Sequence, residues 1–223
     1  MSLRNWDNKT WLSSTKYIES FISFLLKQIK LDKDSHILDI GCGRGKILGY
    51  LSSKLKLRNK PVGIDIERHV DRDKRIYFKK IDAIRFLKKN KTKFDLILIK
   101  QTIHFLKIEE IKKLISICKT KLNHKGKIII FTLDTSHNEI PSFLLMKKKL
   151  KKSLDRDKKI IKLIRRLCPR SKNKKFSFKV KISRKIYINM IKNRYISTLL
   201  DISLSEIFKG IDEIKLKYKK KLS

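Results

Sequence analysis

Five short apolar runs recur along the first 135 residues, separated by stretches in which apolar residues return at helical spacing. A strand that is buried on both faces reads as a continuous apolar run, and parallel strands need helical crossovers between them. The pattern therefore predicts an α/β fold with a doubly wound, mostly parallel sheet. The predicted strands lie at 37–40, 61–66, 76–81, 94–99 and 127–133.

Helical spacing also marks the segments on either side of this sheet. Apolar residues from Tyr17 to Ile29 recur every three or four positions, which predicts an amphipathic helix before the first strand. After the fifth strand, Pro141 suits the first position of a helix, and Cys168 and Pro169 close a second amphipathic pattern. We therefore expect a helical insertion after the fifth strand.

The C-terminal part of the chain adds one more strand to the expectation. Residues 176–182 alternate strictly between apolar and polar, as a half-buried strand does. Residues 184–200 and 203–214 have helical patterns, and no convincing strand follows them. The sequence therefore predicts six strands and two C-terminal helices.

The most informative stretch follows the first predicted strand, where an acid and three glycines occupy alternate positions as Asp39, Gly41, Gly43 and Gly45. Glycine has no Cβ, so bare backbone can approach a ligand closely. A helix is predicted to begin directly afterwards, and its first N–H groups face the same ligand. The stretch is therefore a candidate binding loop.

Two familiar phosphate-binding loops do not fit this spacing. A P-loop is excluded because Ile40 stands in the place of its first glycine and Ile47 in the place of serine or threonine. A dinucleotide loop is excluded because Lys46 occupies the position of its third glycine. A tight strand-to-helix turn that binds nothing stays open as an alternative.

The loop and its surroundings resemble the first motif of class I S-adenosylmethionine (SAM)-dependent methyltransferases, over about residues 34–135. The resemblance implies a Rossmann-like fold, SAM as the cofactor and methyl transfer as the reaction. It also implies that the loop holds the methionine part of SAM, and that Cys42 fills a small slot in it. The implied cofactor-binding residues are Asp39, Gly41, Cys42, Gly43, Gly45, Asp65, Ile66, Asp82, Ala83 and Lys100.

Polar side chains stand at the ends of successive predicted strands. Asp65 lies about twenty residues beyond the loop along the chain. In a βαβ unit, an acid at this spacing reaches the ribose of a bound nucleotide, and its carboxylate can accept hydrogen bonds from both hydroxyls. Asp82 can cap the helix that begins at Ala83, and the resemblance places this pair beside adenine; the two roles are compatible. Because the carboxyl ends of parallel strands share one edge of the sheet, we expect these acids to converge with Asp39 and Gln101 on one ligand.

His104 lies about one turn beyond the fourth predicted strand and is, with Gln101, the predicted catalytic pair that faces the methyl group. An imidazole can accept a proton near neutral pH, and a histidine that only shapes the pocket is the open alternative. No Asn/Asp-Pro-Pro-Tyr/Phe run follows this strand, which disfavours methylation of a ring amino group such as that of adenine. No cysteine lies there either, which disfavours attack on pyrimidine C5.

Four further residues are candidates for the acceptor side. In related methyltransferases an N-terminal segment closes over SAM, so Trp11 and Tyr17 are lid candidates, with core packing as the alternative. Arg194 and Tyr195 belong to a stretch that resembles the substrate-side helix of methyltransferases related to those acting on aconitate. A guanidinium suits a carboxylate, and a surface arginine on an amphipathic helix is the alternative.

The resemblance also suggests how one domain is organised. Residues 1–33 would form the N-terminal lid helix, 34–135 the SAM-binding core, and 136–223 the basic helical insertion with the substrate-side part. The family usually ends in a sixth and a seventh strand, so the missing seventh strand is a departure from its pattern. A chain of 223 residues is long enough to bury a full core as one domain.

The formal net charge of +37 opens a second line of interpretation. Such a field attracts phosphate polymers, and 15 Lys or Arg residues are concentrated in 147–175. The basic residues are nevertheless spread along the whole chain, with 45 Lys against 13 Arg, a composition typical of a genome rich in A and T. RNA therefore stays an open partner, and a small-molecule methyl acceptor is the preferred one.

The remaining features set expectations about the chain's surroundings. Three cysteines far apart and without a CxxC pair indicate a reduced, cytoplasmic protein with no disulfide frame and no metal site. The apolar stretch 21–26 is too short to span a membrane. We expect a monomer or homodimer that methylates oxygen or nitrogen of a small molecule, with an RNA methyltransferase or a non-catalytic SAM-fold binding module as alternatives.

Overall fold

The computed structural model describes residues 10–134 and 140–218. Five parallel strands form one sheet in the order β3-β2-β1-β4-β5. Their bounds are β1 Ile37–Ile40, β2 Val62–Asp65, β3 Tyr77–Lys80, β4 Phe94–Lys100 and β5 Leu122–Phe131. The predicted doubly wound parallel sheet is confirmed.

Seven α-helices lie in the described parts of the chain, and three 3-10 turns accompany them. The helices are α1 Thr15–Leu26, α2 Lys46–Leu55, α3 Ala83–Lys89, α4 Ile108–Thr120, α5 Leu144–Leu167, α6 Arg184–Lys192 and α7 Leu204–Lys217. The 3-10 turns are Trp11–Ser13, Ile103–Phe105 and Ser197–Leu199. None of these helices is both long and apolar enough to cross a bilayer.

Helices cover both faces of the sheet. On one face, α1 and α2 bury Phe21, Ile22 and Leu48 against the strands. On the other, α3, α4 and the second half of α5 contribute Leu87 and Ile111 to a separate apolar layer. Burying apolar surface on both sides is what makes a parallel sheet stable in water, so these layers hold the strand ends in place.

The strand order reverses between β1 and β4. From β1 the chain moves outward to β2 and β3, and from β4 it moves in the opposite direction to β5. The loops that follow β1 and β4 therefore diverge, which leaves a crevice at the carboxyl ends of these two strands. The predicted binding loop follows β1, and the predicted catalytic residues follow β4.

A separate helical cluster lies C-terminal to the sheet. Phe143 and Met146 at the start of α5 pack against α6, α7 and the residues between them. The rest of α5 packs on the sheet, where Ile160 joins the layer made by α3 and α4. Helix α5 therefore connects the sheet to the cluster through one continuous segment.

The sixth predicted strand is wrong. Residues 176–182 form no strand, although Phe176 and Phe178 are half-buried and their rings lie 6.0 and 5.3 Å from the ring of Tyr17. The alternation indicated correctly that Phe176 and Phe178 face the core, whereas Val180 in the same pattern is exposed. Alternation also carries no information on whether a neighbouring strand is there to pair with. No strand occurs among the described residues after β5.

Three predicted boundaries also differ. The predicted helix 184–200 ends at Lys192, because Arg194 adopts a left-handed φ of 51° that an α-helix does not accommodate. Helix α5 is one helix that begins at Leu144, three residues after the predicted Pro141. Strand β5 begins at Leu122, before the expected turn, with a bulge opposite β4.

Candidate active site

The loop after β1 turns through the left-handed region at each of its three glycines, with φ of 72° at Gly41, 54° at Gly43 and 69° at Gly45. A Cβ on Gly41 would lie 2.1 Å from the Thr102 hydroxyl oxygen, and one on Gly45 would lie 2.2 Å from the Ile76 side chain. Packing therefore demands glycine at both positions.

Gly43 differs from the other two glycines because its Cβ direction points into open space. The nearest atom to such a Cβ would be a nitrogen of His69 at 4.0 Å. Nothing in the protein's own packing requires a missing side chain there, although the positive φ favours glycine. An open backbone surface at a strand-to-helix turn allows close approach of a ligand.

Asp65 ends β2 and joins it to the glycine loop. One carboxylate oxygen accepts the N–H of Gly43 at 2.8 Å, and the other accepts the N–H of Glu67 at 2.9 Å. Each carboxylate oxygen has a second lone pair, so binding a ribose diol is compatible with this structural role. Ile66 follows directly and leaves 62% of its surface exposed, which makes it an apolar surface beside the carboxylate.

Asp39 lies inside the protein on β1, with 4% of its surface exposed and Oδ1 without a hydrogen-bond partner. Burial raises the pKa of this carboxyl to about 7; the positive charge of Lys100 lowers it and the negative charge of Asp65 raises it further. A buried acceptor without a partner is costly, so it needs an explanation such as a ligand. SAM carries an ammonium and a sulfonium group, and the residues present fit such a cation.

Asp82 stands next to Asp65 at the adjacent strand end. The N–H of Ile81 donates to the main-chain oxygen of Asp65 at 2.9 Å, which fixes the position of the residue that follows. Asp82 caps α3 by accepting the N–H of Arg85 at 2.9 Å, and Ala83 is the first residue of that helix. The capping interpretation is thus observed, and the predicted adenine contacts of Asp82 and Ala83 stay a prediction.

Lys100 and Gln101 form the exit from β4. The Lys100 ammonium lies 5.4 Å from the ring centre of Tyr17 and 5.7 Å from that of Phe21. Gln101 has a φ of 55°, which is uncommon for a residue with a Cβ. Its N–H donates to the main-chain oxygen of Phe131 at 2.8 Å. Strained backbone of this kind is concentrated at functional sites, which supports Gln101 as a site residue.

His104 is half-buried in the 3-10 turn that follows. Burial lowers the pKa of its imidazole, the negative charge of Asp157 raises it, and the positive charge of Arg156 lowers it. Thr132, just beyond β5, donates to Asp157 at 3.3 Å. The structure thus places His104 near an acid on α5 that sequence reasoning missed.

A signal for Asp157 was nevertheless present in the sequence. The buried face of α5 is defined by Met146, Leu150 and Ile160, and Asp157 occupies a position on this face. An acid at an apolar position of an amphipathic helix is unusual and indicates a role for the side chain.

The structure places the acceptor-side candidates in two different regions. Tyr17 is 4% exposed and packs with Phe21 and Phe178, so the core-packing alternative is observed for its ring. Arg194 donates to the main-chain oxygen of Ile202 at 2.9 Å, inside the C-terminal helical cluster.

The other two acceptor-side candidates are Tyr195 and Trp11. Tyr195 is 1% exposed in the same cluster as Arg194. Trp11 begins the 3-10 turn ahead of α1. Substrate binding by these four residues stays a prediction.

Cys42 lies in the loop between Gly41 and Gly43. The thiol of Cys42 would lie 2.7 Å from a Cβ added to Gly63, so it fills the space that this glycine leaves. Burial raises the pKa of the Cys42 thiol far above its usual range, which argues against a nucleophilic role. Within residues 10–134 and 140–218, no group of three or more His, Cys, Asp or Glu side chains is arranged to hold a metal ion.

Comparison with known proteins finds a matching family profile and structures with a similar fold. Residues 37–126 match the profile of a methyltransferase domain. The fold is similar to that of a protein from Anabaena variabilis assigned as a methyltransferase of an antibiotic biosynthesis pathway, with a TM-score of 0.66, 15% identity, and coverage of 90% of this chain and 85% of that one. No curated protein sequence matches the chain significantly.

A second solved structure shows the same fold. The plantazolicin methyltransferase BpumL, in complex with a triazolic desmethyl analogue and S-adenosylhomocysteine (SAH), has a TM-score of 0.51 and 18% identity, and the match covers 92% of this chain and 82% of that one. Sheet order and neighbours together define the Rossmann-like fold of class I methyltransferases. The methyltransferase profile over residues 37–126 includes the glycine loop, and it agrees with the resemblance that the sequence of this loop indicated.

The pKa of Asp39 makes stability depend on pH. The unfolded carboxyl loses its proton near pH 3.8 and the folded one near pH 7, so the folded state binds more protons between these values. The free energy of unfolding therefore falls as the pH rises from about 4 to 7. We expect Asp39→Asn to abolish this fall and to be more stable than the wild type at pH 8, by up to roughly 4 kcal/mol since one pKa unit is worth about 1.4 kcal/mol.

Urea unfolding at pH 5 and pH 8 measures this difference. The matched control is Asp34→Asn, because Asp34 lies at the opposite end of β1 in an exposed ion pair with Arg58. The control variant should follow the wild type at both pH values. An Asp39→Asn variant that is less stable than the wild type at pH 8 contradicts the assignment of a buried, uncompensated carboxyl.

Proposed function

We propose that this chain is a SAM-dependent methyltransferase that transfers a methyl group to oxygen or nitrogen of a small-molecule acceptor. One observation carries the proposal: the buried, unpartnered Oδ1 of Asp39 lies near the end of β1, and the open backbone of Gly43 lies in the turn that follows, which Asp65 ties to β2. Such a turn offers acceptors for a cationic ligand together with room for its approach.

The residues divide the work of binding according to their positions. Asp39 and the glycine loop would hold the methionine part, because the buried carboxylate favours its positive charges. Asp65 would accept from the ribose hydroxyls beside the exposed Ile66. Asp82 and Ala83, at the adjacent strand end, would face adenine.

Bound SAM supplies an activated methyl group, so the protein's main task is to position the acceptor and to receive its proton. Gln101 would orient the acceptor from the strained turn after β4. His104 would accept the proton, because burial lowers the pKa of its imidazole and so favours the neutral form that can act as a base. A small acceptor agrees with BpumL, whose structure contains a desmethyl analogue of a natural product.

A second candidate function, RNA methylation, is favoured by one specific observation. A cleft of about 550 Å³ is lined by four cations, Arg68, Arg72, Lys74 and Lys80, and by one acid, Asp73. The ring of Phe78 lies beneath the Arg72 guanidinium at 4.7 Å. Three of the chain's 13 arginines lie within residues 66–76, whereas lysine dominates elsewhere. Arginine together with an aromatic ring is a combination that nucleic acids recognise.

Isothermal titration with SAM tests the cofactor site. We expect Asp65→Ala to abolish measurable binding, because it removes both the diol acceptor and the bond to Gly43. Asp65→Asn keeps an oxygen for Gly43 and should bind at least about tenfold more weakly, since it loses a charged acceptor. Asp34→Ala, at the far end of the sheet, should bind like the wild type.

Two outcomes of this titration would reject the cofactor site. One is the absence of heat for the wild type, and the other is equal affinity in the wild type and Asp65→Ala. A protein that binds SAM but transfers no labelled methyl group to either a metabolite extract or total RNA would support the non-catalytic binding module.

Salt dependence separates the two acceptor classes. If RNA binding reflects diffuse charge alone, affinity for bulk tRNA should fall by about 10²- to 10³-fold between 50 and 200 mM salt. Filter binding measures this loss. Salt-resistant binding to one RNA that Arg68→Ala/Arg72→Ala destroys, and that Lys148→Ala/Lys152→Ala on α5 keeps, would favour the second candidate.

A further inference from the structure

The most basic helix of the protein turns one acid inward. Asp157 on α5 is 5% exposed, whereas Asp155 on the same helix is exposed and pairs with Lys158 at 3.2 Å. The two acids are two residues apart and therefore face different sides of the helix. One is a surface ion-pair partner, and the other is enclosed.

The hydrogen bonds of Asp157 leave it half satisfied. Its Oδ2 accepts from the Thr132 hydroxyl at 3.3 Å, and its Oδ1 is buried without a partner. Burial raises the pKa of this carboxyl, while the positive charge of His104, the bond from Thr132 and the positive charge of Arg156 lower it. A buried acid held this way costs stability, so its presence needs an explanation.

Arg156, the residue before Asp157, shows which part of the protein lies beside this turn of α5. Arg156 donates to the main-chain oxygen of Leu106 at 3.0 Å, two residues beyond His104. On the other side, Thr132 follows Phe131, whose oxygen accepts the N–H of Gln101. Arg156 therefore contacts the turn that carries His104, and Asp157 contacts the end of β5, which pairs with β4 just before that turn.

We propose that Asp157 is the positioning residue of His104. Its negative charge acts on the imidazole in the turn after β4 and stabilises the imidazolium that forms when His104 takes the acceptor's proton. This inference rests on the proposed function. It assigns the inward-facing acid of α5 to the reaction, whereas the exposed lysines of the same helix have no part in it.

The inference also narrows the class of acceptor. When the acceptor atom bonds to the methyl carbon, the electron pair of the broken carbon–sulfur bond stays on sulfur, and the acceptor's proton passes to the imidazole and then to water. This step needs a base only where the acceptor atom carries a proton. A carboxylate carries none, so a His104–Asp157 pair indicates a hydroxyl or amine acceptor.

Nuclear magnetic resonance titration of the histidine ring protons tests the pair without any acceptor. The chain has 5 histidines, and the resonance absent from His104→Gln identifies the relevant one. We expect the pKa of His104 to fall in Asp157→Asn, because the negative charge that raises it is gone. Asp155→Asn removes the same charge from the same helix and should leave the titration unchanged.

A second variant keeps the test decisive if Asp157→Asn does not fold. Thr132→Val removes the bond to Oδ2, which raises the pKa of Asp157 and weakens its negative charge, so the pKa of His104 should shift in the same direction. An unchanged His104 titration in the folded variants, with wild-type SAM affinity by calorimetry, overturns the inference and leaves the cofactor site intact. Absence of SAM binding in the wild type would instead overturn the proposed function.

Activity provides an independent readout once an acceptor is found. The lower limb of the pH profile of kcat should move to lower pH in Asp157→Asn, and kcat should fall at least about tenfold at its plateau. The SAM dissociation constant should stay the same. A residue that only stabilised the fold would not move the limb, so an unmoved limb also counts against the proposal.

Discussion

The hydrogen bond from the Gly43 N–H to the Asp65 carboxylate holds the candidate site together. It joins the turn after β1 to the end of β2, and the N–H groups of Gly41 and Cys42 reinforce the joint by donating to Ile64. The turn can take this path because its glycines accept left-handed backbone. Once the path is set, the start of α2, the buried carboxyl of Asp39 and the carboxyl of Asp65 are brought to one edge of the sheet.

Two carboxyls are buried near this edge of the sheet, and both lower the stability of the fold. Asp39 and Asp157 each have an oxygen without a partner, and burial raises the pKa of both. An isostere without charge would suit the fold better at either position, because an enclosed charge loses its hydration. Both lie near the ends of β1, β4 and β5, so the cost in stability is concentrated at the edge of the sheet where the proposed binding and proton transfer would take place.

Local signals in the sequence predicted the five strands, α1, α7 and the glycine turn, because each depends on residues close together in the chain. The strand expected at 176–182 failed for a different reason: Phe176 and Phe178 face the core as their alternation indicated, but pairing requires a partner strand that alternation cannot report. The role of Asp157 was not predicted because it depends on Thr132 and on the turn of His104, and only the folded chain brings these near α5. Contacts distant in sequence are the part that a pattern of residues cannot supply.

The net charge of +37 also takes on a different meaning once the fold is known. Lysines on α5 lie on its exposed side, whereas the one acid on its buried face lies at the edge of the candidate site. Charge that faces solvent is screened within about 8 to 10 Å at physiological salt, so it exerts little control over chemistry inside a pocket. His104 and Asp157 lie at this edge of the sheet together with the cations Arg156 and Lys100, so both signs of charge are present there. The lysines on the surface are therefore no evidence by themselves for an RNA acceptor, because the choice of acceptor depends on the groups that line the crevice.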